Sequence, residues 1–213
     1  MSDLFALIAA ARIVPVVVLH SATDADPLAR ALLAGGLPVA EVTFRTSAAE
    51  ESIRAMSAIP EMLVGAGTVR TVDQVDKAAD AGARFIVSPG FSAAVVTRSL
   101  ELGLPVFPGA VTATEIQAAA DLGLTTVKFF PAETSGGAKA IKALAAPFAD
   151  ITFIPTGGIG PKNLAEYFAV PAVAAIGGSW MVPTDAIAAG DFDRVAQLTA
   201  EAVRLVAPDG AGA

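Results

Sequence analysis

Lys128 lies inside the apolar run Thr126-Val-Lys-Phe-Phe130, just ahead of Pro131, Ala132 and Glu133. Burying an ammonium without a partner is costly, and one escape is loss of the proton. A neutral lysine is the nucleophile that attacks a ketone to form a Schiff base. At its ordinary pKa only about 0.04% of lysine is neutral at pH 7, so a protein using one this way must shift that balance. A strand-end lysine that snorkels to solvent or pairs with Glu133 fits this segment equally well.

Glu41, Thr43 and Arg45 are spaced by two, which puts them on one face of a strand. Between Ala40 and Val42, Glu41 is either a buried acid/base group or half of a self-neutralising pair with Arg45. The small residues of Gly65-Ala-Gly-Thr68 leave room for a ligand near the Thr68 hydroxyl, or merely relax a strand end. Ser88-Pro89-Gly90 and Pro108-Gly109-Ala110 read as turn punctuation. Phe130, two residues beyond Lys128, shares its face and can form an apolar wall. Pro155-Thr156-Gly157-Gly158-Ile159 and Gly177-Gly178-Ser179-Trp180 are glycine pairs at two successive strand ends. Backbone N–H groups in such turns cradle phosphate, and Ser179 adds a hydroxyl donor.

Other polar residues fit plainer roles. His20 is the only histidine and cysteine is absent. That argues against a His metal cluster, a Ser–His–Asp triad, disulfides and thiolate metal sites. His20 reads as a loop residue, and Trp180 and Tyr167 as packing. Lys77, Lys139 and Lys142 fall on helical stretches and read as solvated. Lys162 follows Pro161 at a helix start, from which it could approach a phosphate.

Short β-rich runs that alternate with alanine-rich stretches must position these groups. The runs are 13–19, 39–44, 63–68, 85–89, 105–110, 126–131, 152–156 and 173–177. Asp24, Ser47, Thr71, Ser92, Thr112, Pro161 and Thr184 mark the helix starts between them. Gly35, Gly82, Gly103 and Gly123 mark helix ends. Eight strands, each followed by a helix, predict a single (β/α)8 TIM barrel of the α/β class, with chemistry at the C-terminal strand ends. An open doubly wound sheet lacks support, because no Gly-x-Gly-x-x-Gly follows the first strand. No linker or charge run divides the chain, so 1–213 reads as one domain with a loose tail after about residue 208.

The stretch from Leu4 to Leu19 imitates a signal peptide. Asp3, Arg12 and Pro15 break that pattern, and it reads as a short N-terminal helix followed by the first strand. A net charge of −7 disfavours nucleic acid or an anionic membrane as partner. A cytoplasmic protein whose partner is a small molecule is the expectation.

Glu41-Val-Thr-Phe-Arg45-Thr, Gly65-Ala-Gly-Thr68-Val, Ser88-Pro89-Gly, Val127-Lys-Phe-Phe-Pro-Ala-Glu133, Pro155-Thr-Gly-Gly-Ile159 and Gly177-Gly-Ser-Trp180 together resemble the KDPG/KHG aldolase family. The resemblance runs over essentially the whole chain. It implies a class I enzyme that cleaves 2-keto-3-deoxy-6-phosphogluconate to pyruvate and glyceraldehyde 3-phosphate, and 4-hydroxy-2-oxoglutarate to pyruvate and glyoxylate. No metal or cofactor is implied, and a homotrimer is. Lys128 matches the family's Schiff-base lysine and Glu41 its general acid/base. Arg45 and Thr68 match residues near the pyruvate carboxylate. Pro89, Phe130 and Thr156 match the pocket lining, and Gly157, Gly158, Gly178 and Ser179 the phosphate end. Phe44 stands where leucine is common, and His20 where relatives carry another polar residue. Two alternatives stay open: an aldolase for the 6-phosphogalactonate epimer, and a phosphosugar isomerase or epimerase-type barrel. The second needs acidic pairs or histidines at several strand ends, which this chain lacks.

Overall fold

Runs rich in valine, isoleucine and phenylalanine become strands because branched and aromatic side chains suit a pleated, buried surface. In the computed structural model, which describes residues 2–207, they form β1 (Ile13–Val17), β2 (Val39–Thr43), β3 (Leu63–Gly67) and β4 (Phe85–Val87). The second half supplies β5 (Val106–Phe107), β6 (Thr126–Phe129), β7 (Thr152–Pro155) and β8 (Ile176–Gly178). Every run expected from the sequence yields a strand, and most strands end before the run does. The leftover residues begin the loops at the strand C-termini, and most of them stay buried or half-buried. At β8 the start moves instead: Val173 makes only an isolated bridge with Phe153, and pairing with β1 begins at Ile176.

The ladders are parallel, and the α/β class expected from the sequence is observed. Six strands pair in the order β5-β4-β3-β2-β1-β8, while β6 and β7 pair with each other. One continuous eight-strand ladder is not what these pairings give. Between the two sheets run short backbone links. Lys128 N–H donates to the Pro108 carbonyl at 2.9 Å, and Ala110 N–H to the Lys128 carbonyl at 2.8 Å. Thr156 bridges Gly177 on the other side. β1 and β2 are buried at every residue, as parallel strands covered on both faces are.

The covering helices are α1 (Ser2–Ala11), α2 (Ala25–Ala34), α3 (Ala49–Ser57), α4 (Val72–Asp80), α5 (Ala93–Glu101) and α6 (Ala113–Asp121). Then come α7 (Gly137–Ala145), α8 (Leu164–Phe168), α9 (Thr184–Ala188) and α10 (Phe192–Val206). The short N-terminal helix expected before the first strand is α1. Thr71, Ser92 and Thr112 each cap a helix by accepting a backbone N–H, and Thr112 closes a capping box with Glu115. Other boundaries differ from the sequence reading. α3 is preceded by Ala48 rather than Ser47. α8 starts at Leu164, because Asn163 accepts the Gly160 N–H at 2.9 Å and donates to the Gly158 carbonyl at 3.0 Å, keeping that stretch a loop. After α2 the left-handed position belongs to Gly36, at φ +85°; Gly35 is glycine because a Cβ there would lie 2.5 Å from Thr199 Cβ on α10. One buried apolar cluster extends from Ile8 to Val206. Among the described residues no helix is long and apolar enough to cross a membrane. The tail after residue 208 lies outside the described residues.

Candidate active site

Alternation along β6 sends successive side chains to opposite faces. Val127 and Phe129 are fully buried, and Phe129 stacks edge-on against Phe153 of β7 at 6.5 Å. Lys128 takes the other face. There it borders a void of about 10 Å³ with Val14, Glu41, Phe107, Ile154 and Thr156, residues drawn from four other strands or their ends. Its Nζ lies 3.1 Å from Glu41 Oε1 and 3.4 Å from Oε2, and both side chains are about 95% buried. The ammonium also sits 5.2 Å from the Phe130 ring centroid, within cation–π range. A pair this deep is a liability to stability if either partner is removed, since the survivor becomes an uncompensated buried charge.

This geometry decides two alternatives left open above. Lys128 neither snorkels nor pairs with Glu133; the Glu133 carboxylate accepts the Tyr167 hydroxyl instead. Glu41 does not neutralise itself against Arg45. Arg45 falls in the turn after β2, is exposed, and points into a cleft above the pair.

The cleft encloses about 490 Å³. Of the predicted site residues, Arg45, Phe130, Thr156, Gly157, Gly158, Gly178 and Ser179 line it. Lys128 and Glu41 lie beneath it, and Thr156 and Gly177 border both the cleft and the small void around the pair. Thr68 and Pro89 are not in the cleft wall. Both are half-buried, and Thr68 follows β3 with a left-handed backbone, φ +57°, which a β-branched residue rarely adopts. His20 and Lys162 are exposed and outside the wall. The sequence reading missed Val16 and Val18, which line the cleft two residues apart; strand periodicity could have placed them. It also missed Asp185, whose carboxyl the Arg194 side chain holds below the usual range at 2.9 Å. Arg194 belongs to the next helix, so nothing local marked that pair.

The glycines serve neighbours inside the protein. A Cβ on Gly65 would meet the Phe85 ring at 2.2 Å, and one on Gly67 would meet Glu41 Oε1 at 2.2 Å. The room at the end of β3 is therefore filled by protein side chains, not kept for a ligand. Gly178 makes space for the Trp180 ring, Gly177 for Thr156, and Gly158 for the Glu133 side chain. Gly157 and Gly158 also need glycine for their backbone, at φ +102° and +78°. Among the described residues, no group of three or more His, Asp or Glu side chains gathers as a metal site would require.

Residues 5–198 match the family described as KDPG and KHG aldolase. The chain is 50% identical over 207 residues to the 2-dehydro-3-deoxy-phosphogluconate aldolase of Treponema pallidum, covering 97% of this chain and 99% of that one. Among solved structures it is similar to the 2-keto-3-deoxy-6-phosphogluconate aldolase of Zymomonas mobilis, solved with 3-phosphoglycerate. That match has a TM-score of 0.89 and 40% identity, over 96% of this chain and 97% of that one. A KDPG aldolase from Legionella pneumophila, with pyruvate captured as a covalent carbinolamine intermediate, gives a TM-score of 0.89 at 39% identity. There 93% of this chain and 97% of that one are covered.

Proposed function

The chain belongs to the KDPG and KHG aldolase family, and on that premise we propose that it is a class I aldolase acting through a Schiff base on Lys128. It cleaves 2-keto-3-deoxy-6-phosphogluconate reversibly to pyruvate and glyceraldehyde 3-phosphate, and 4-hydroxy-2-oxoglutarate to pyruvate and glyoxylate. The observation that carries this reading is a buried lysine amine 3.1 Å from a buried carboxylate, under a cleft large enough for a six-carbon acid.

The reaction follows from those two groups. Glu41 takes a proton from Lys128, and Nζ attacks the C2 ketone to give a carbinolamine. Glu41 returns a proton to the departing hydroxyl, and water leaves with formation of the iminium. The C3–C4 bond then breaks, its electrons flowing into the iminium to make an enamine, while the C4 hydroxyl yields its proton to Glu41 and departs as the aldehyde. Protonation at C3 and hydrolysis release pyruvate and regenerate the amine. The iminium is the electron sink, so the sequence of steps calls for no metal or cofactor.

We read the eight strands as a closed (β/α)8 barrel and residues 1–213 as one domain. The backbone links at Pro108–Lys128, Ala110–Lys128 and Thr156–Gly177 support closure, as does the meeting of β2 and β6 side chains across the interior. Arg45 and Thr68 are assigned to the substrate carboxylate, and the strained Thr68 backbone supports a site role there. Phe130 and Thr156 are assigned to the pocket wall, and Pro89, outside that wall, to a substrate contact. Gly157, Gly158, Gly178 and Ser179 take the phosphate. A cytoplasmic homotrimer completes the reading, and the absence of cysteine and the net charge of −7 are consistent with a cytoplasmic setting.

Sodium borohydride reduction in the presence of pyruvate tests the assignment. One covalent adduct is expected, on Lys128 by peptide mapping. An adduct on Lys139 or Lys162, or none, defeats it. Cleavage assays on the gluconate and galactonate epimers then decide which phosphorylated substrate is preferred.

A further inference from the structure

Glu133 stands beside the loop assigned above to the phosphate, an assignment on which this inference rests. Its backbone N–H donates to the Gly157 carbonyl at 3.1 Å, and the Ala132 N–H to the Thr156 carbonyl at 2.8 Å. A carboxylate free to swing there would repel an incoming dianion and compete for the same N–H donors. Two contacts prevent that swing. The Glu133 stem packs against Gly158, so closely that a Cβ on Gly158 would lie 2.5 Å from Glu133 Cγ. The carboxylate is then drawn off by the hydroxyl of Tyr167, which has no exposed surface and reaches it from α8. Glu133 consequently takes no part in the cleft wall. Burial, and the Glu133 carboxylate after it, push the Tyr167 hydroxyl well above its ordinary pKa, so it remains a donor.

We propose that Tyr167 is a positioning residue for the phosphorylated half of the substrate. By holding Glu133 against the outer side of Gly158, it braces the Gly157–Gly158 turn and keeps an anionic carboxylate out of the cleft. Asn163 holds the same loop from its other end, through the Gly158 carbonyl and the Gly160 N–H. The residue spent on this task is the chain's only tyrosine.

Tyr167→Phe tests the proposal by removing the hydroxyl and keeping the ring. KM for 2-keto-3-deoxy-6-phosphogluconate should rise about tenfold with kcat little changed, the scale of one hydrogen bond to a charged group. KM for 4-hydroxy-2-oxoglutarate, which carries no phosphate, should stay put, as should the yield of the pyruvate–borohydride adduct. Adding Glu133→Gln to Tyr167→Phe should restore most of the lost KM, because a neutral amide no longer repels phosphate. Both variants lack the same hydroxyl, so any shared loss of stability cancels in that comparison. Equal loss on both substrates, no loss on either, or failure of the second change to restore KM overturns the proposal. If the unaltered protein cleaves neither substrate, the aldolase reading falls and takes this inference with it. If it cleaves both, the inference stands or falls by the variants alone.

Discussion

At the floor of the cleft, Lys128 and Glu41 are charged side chains withdrawn from water and matched to each other at 3.1 Å. At the rim, Gly157, Gly158 and Gly178 offer backbone, and Ser179 is exposed to solvent. The floor is intolerant because each charge is the other's compensation: removing one should cost roughly 3–5 kcal/mol and, under the proposed function, the chemistry as well. The phosphate contacts proposed for the rim are backbone groups that every residue type possesses, so its identity requirements come from what packs behind it. Trp180 behind Gly178 and Glu133 behind Gly158 set those requirements. Under the proposed function, substrate chemistry would reside in floor side chains, while substrate length would be judged by rim backbone.

The sharpest way to break this division is at the floor. Lys128→Arg should abolish cleavage of both substrates and the borohydride adduct, because a guanidinium offers no amine lone pair; residual turnover of either substrate would move the nucleophile elsewhere. Glu41→Gln should lower kcat on both by about 10²–10⁴-fold if the carboxylate moves protons. A near-normal kcat would leave Glu41 a mere counter-ion to Lys128. Gly67→Ala changes neither residue, yet its new methyl would fall 2.2 Å from Glu41 Oε1. Displacing that carboxylate by about 1 Å should cost about 10²-fold in kcat on both substrates. Unchanged kinetics would mean that Glu41 needs no such support.

How much of this was legible in the sequence differs between floor and rim. Lys128 announced itself by mismatch with its apolar neighbours, but its partner is 87 residues away and only the packing of β2 near β6 brings it close. The Glu41–Arg45 alternative was equally consistent with spacing; it failed because β2 ends at Thr43 and Arg45 turns outward. At the rim the glycines were visible and their reason was not. Trp180 shares a motif with Gly178, yet nothing in the string says the indole folds back over it. Strands and most helix caps were readable, since periodicity and N-cap chemistry act locally. The late start of α8 was hidden in a side-chain bond from Asn163 back to Gly158. The separate pairing of β6 with β7 is likewise set by register between distant segments.

The rim yields the smaller effects, and they should be selective. Its lining residues already include one carboxylate, Asp185, but Arg194 neutralises it at 2.9 Å. An aspartate at 179 would add a second, exposed carboxylate to that lining. Ser179→Asp should therefore lower kcat/KM for the phosphorylated substrate by about 10- to 100-fold through like-charge repulsion. Use of 4-hydroxy-2-oxoglutarate and trapping of pyruvate on Lys128 should be preserved.

Ser179→Ala is the gentlest test, because it removes one donor and adds no charge. One hydrogen bond to a charged acceptor among several predicts about a three- to tenfold loss on the phosphorylated substrate, and none on the other. Steady-state kcat/KM for the two substrates, measured side by side on both variants, reads the outcome. If Asp costs no more than Ala, no dianion approaches position 179 and the phosphate must be held elsewhere, with Lys162, on the loop after β7, the next cation to try. If both variants lose equally on both substrates, the rim is not judging length at all, and the division between floor and rim fails with it.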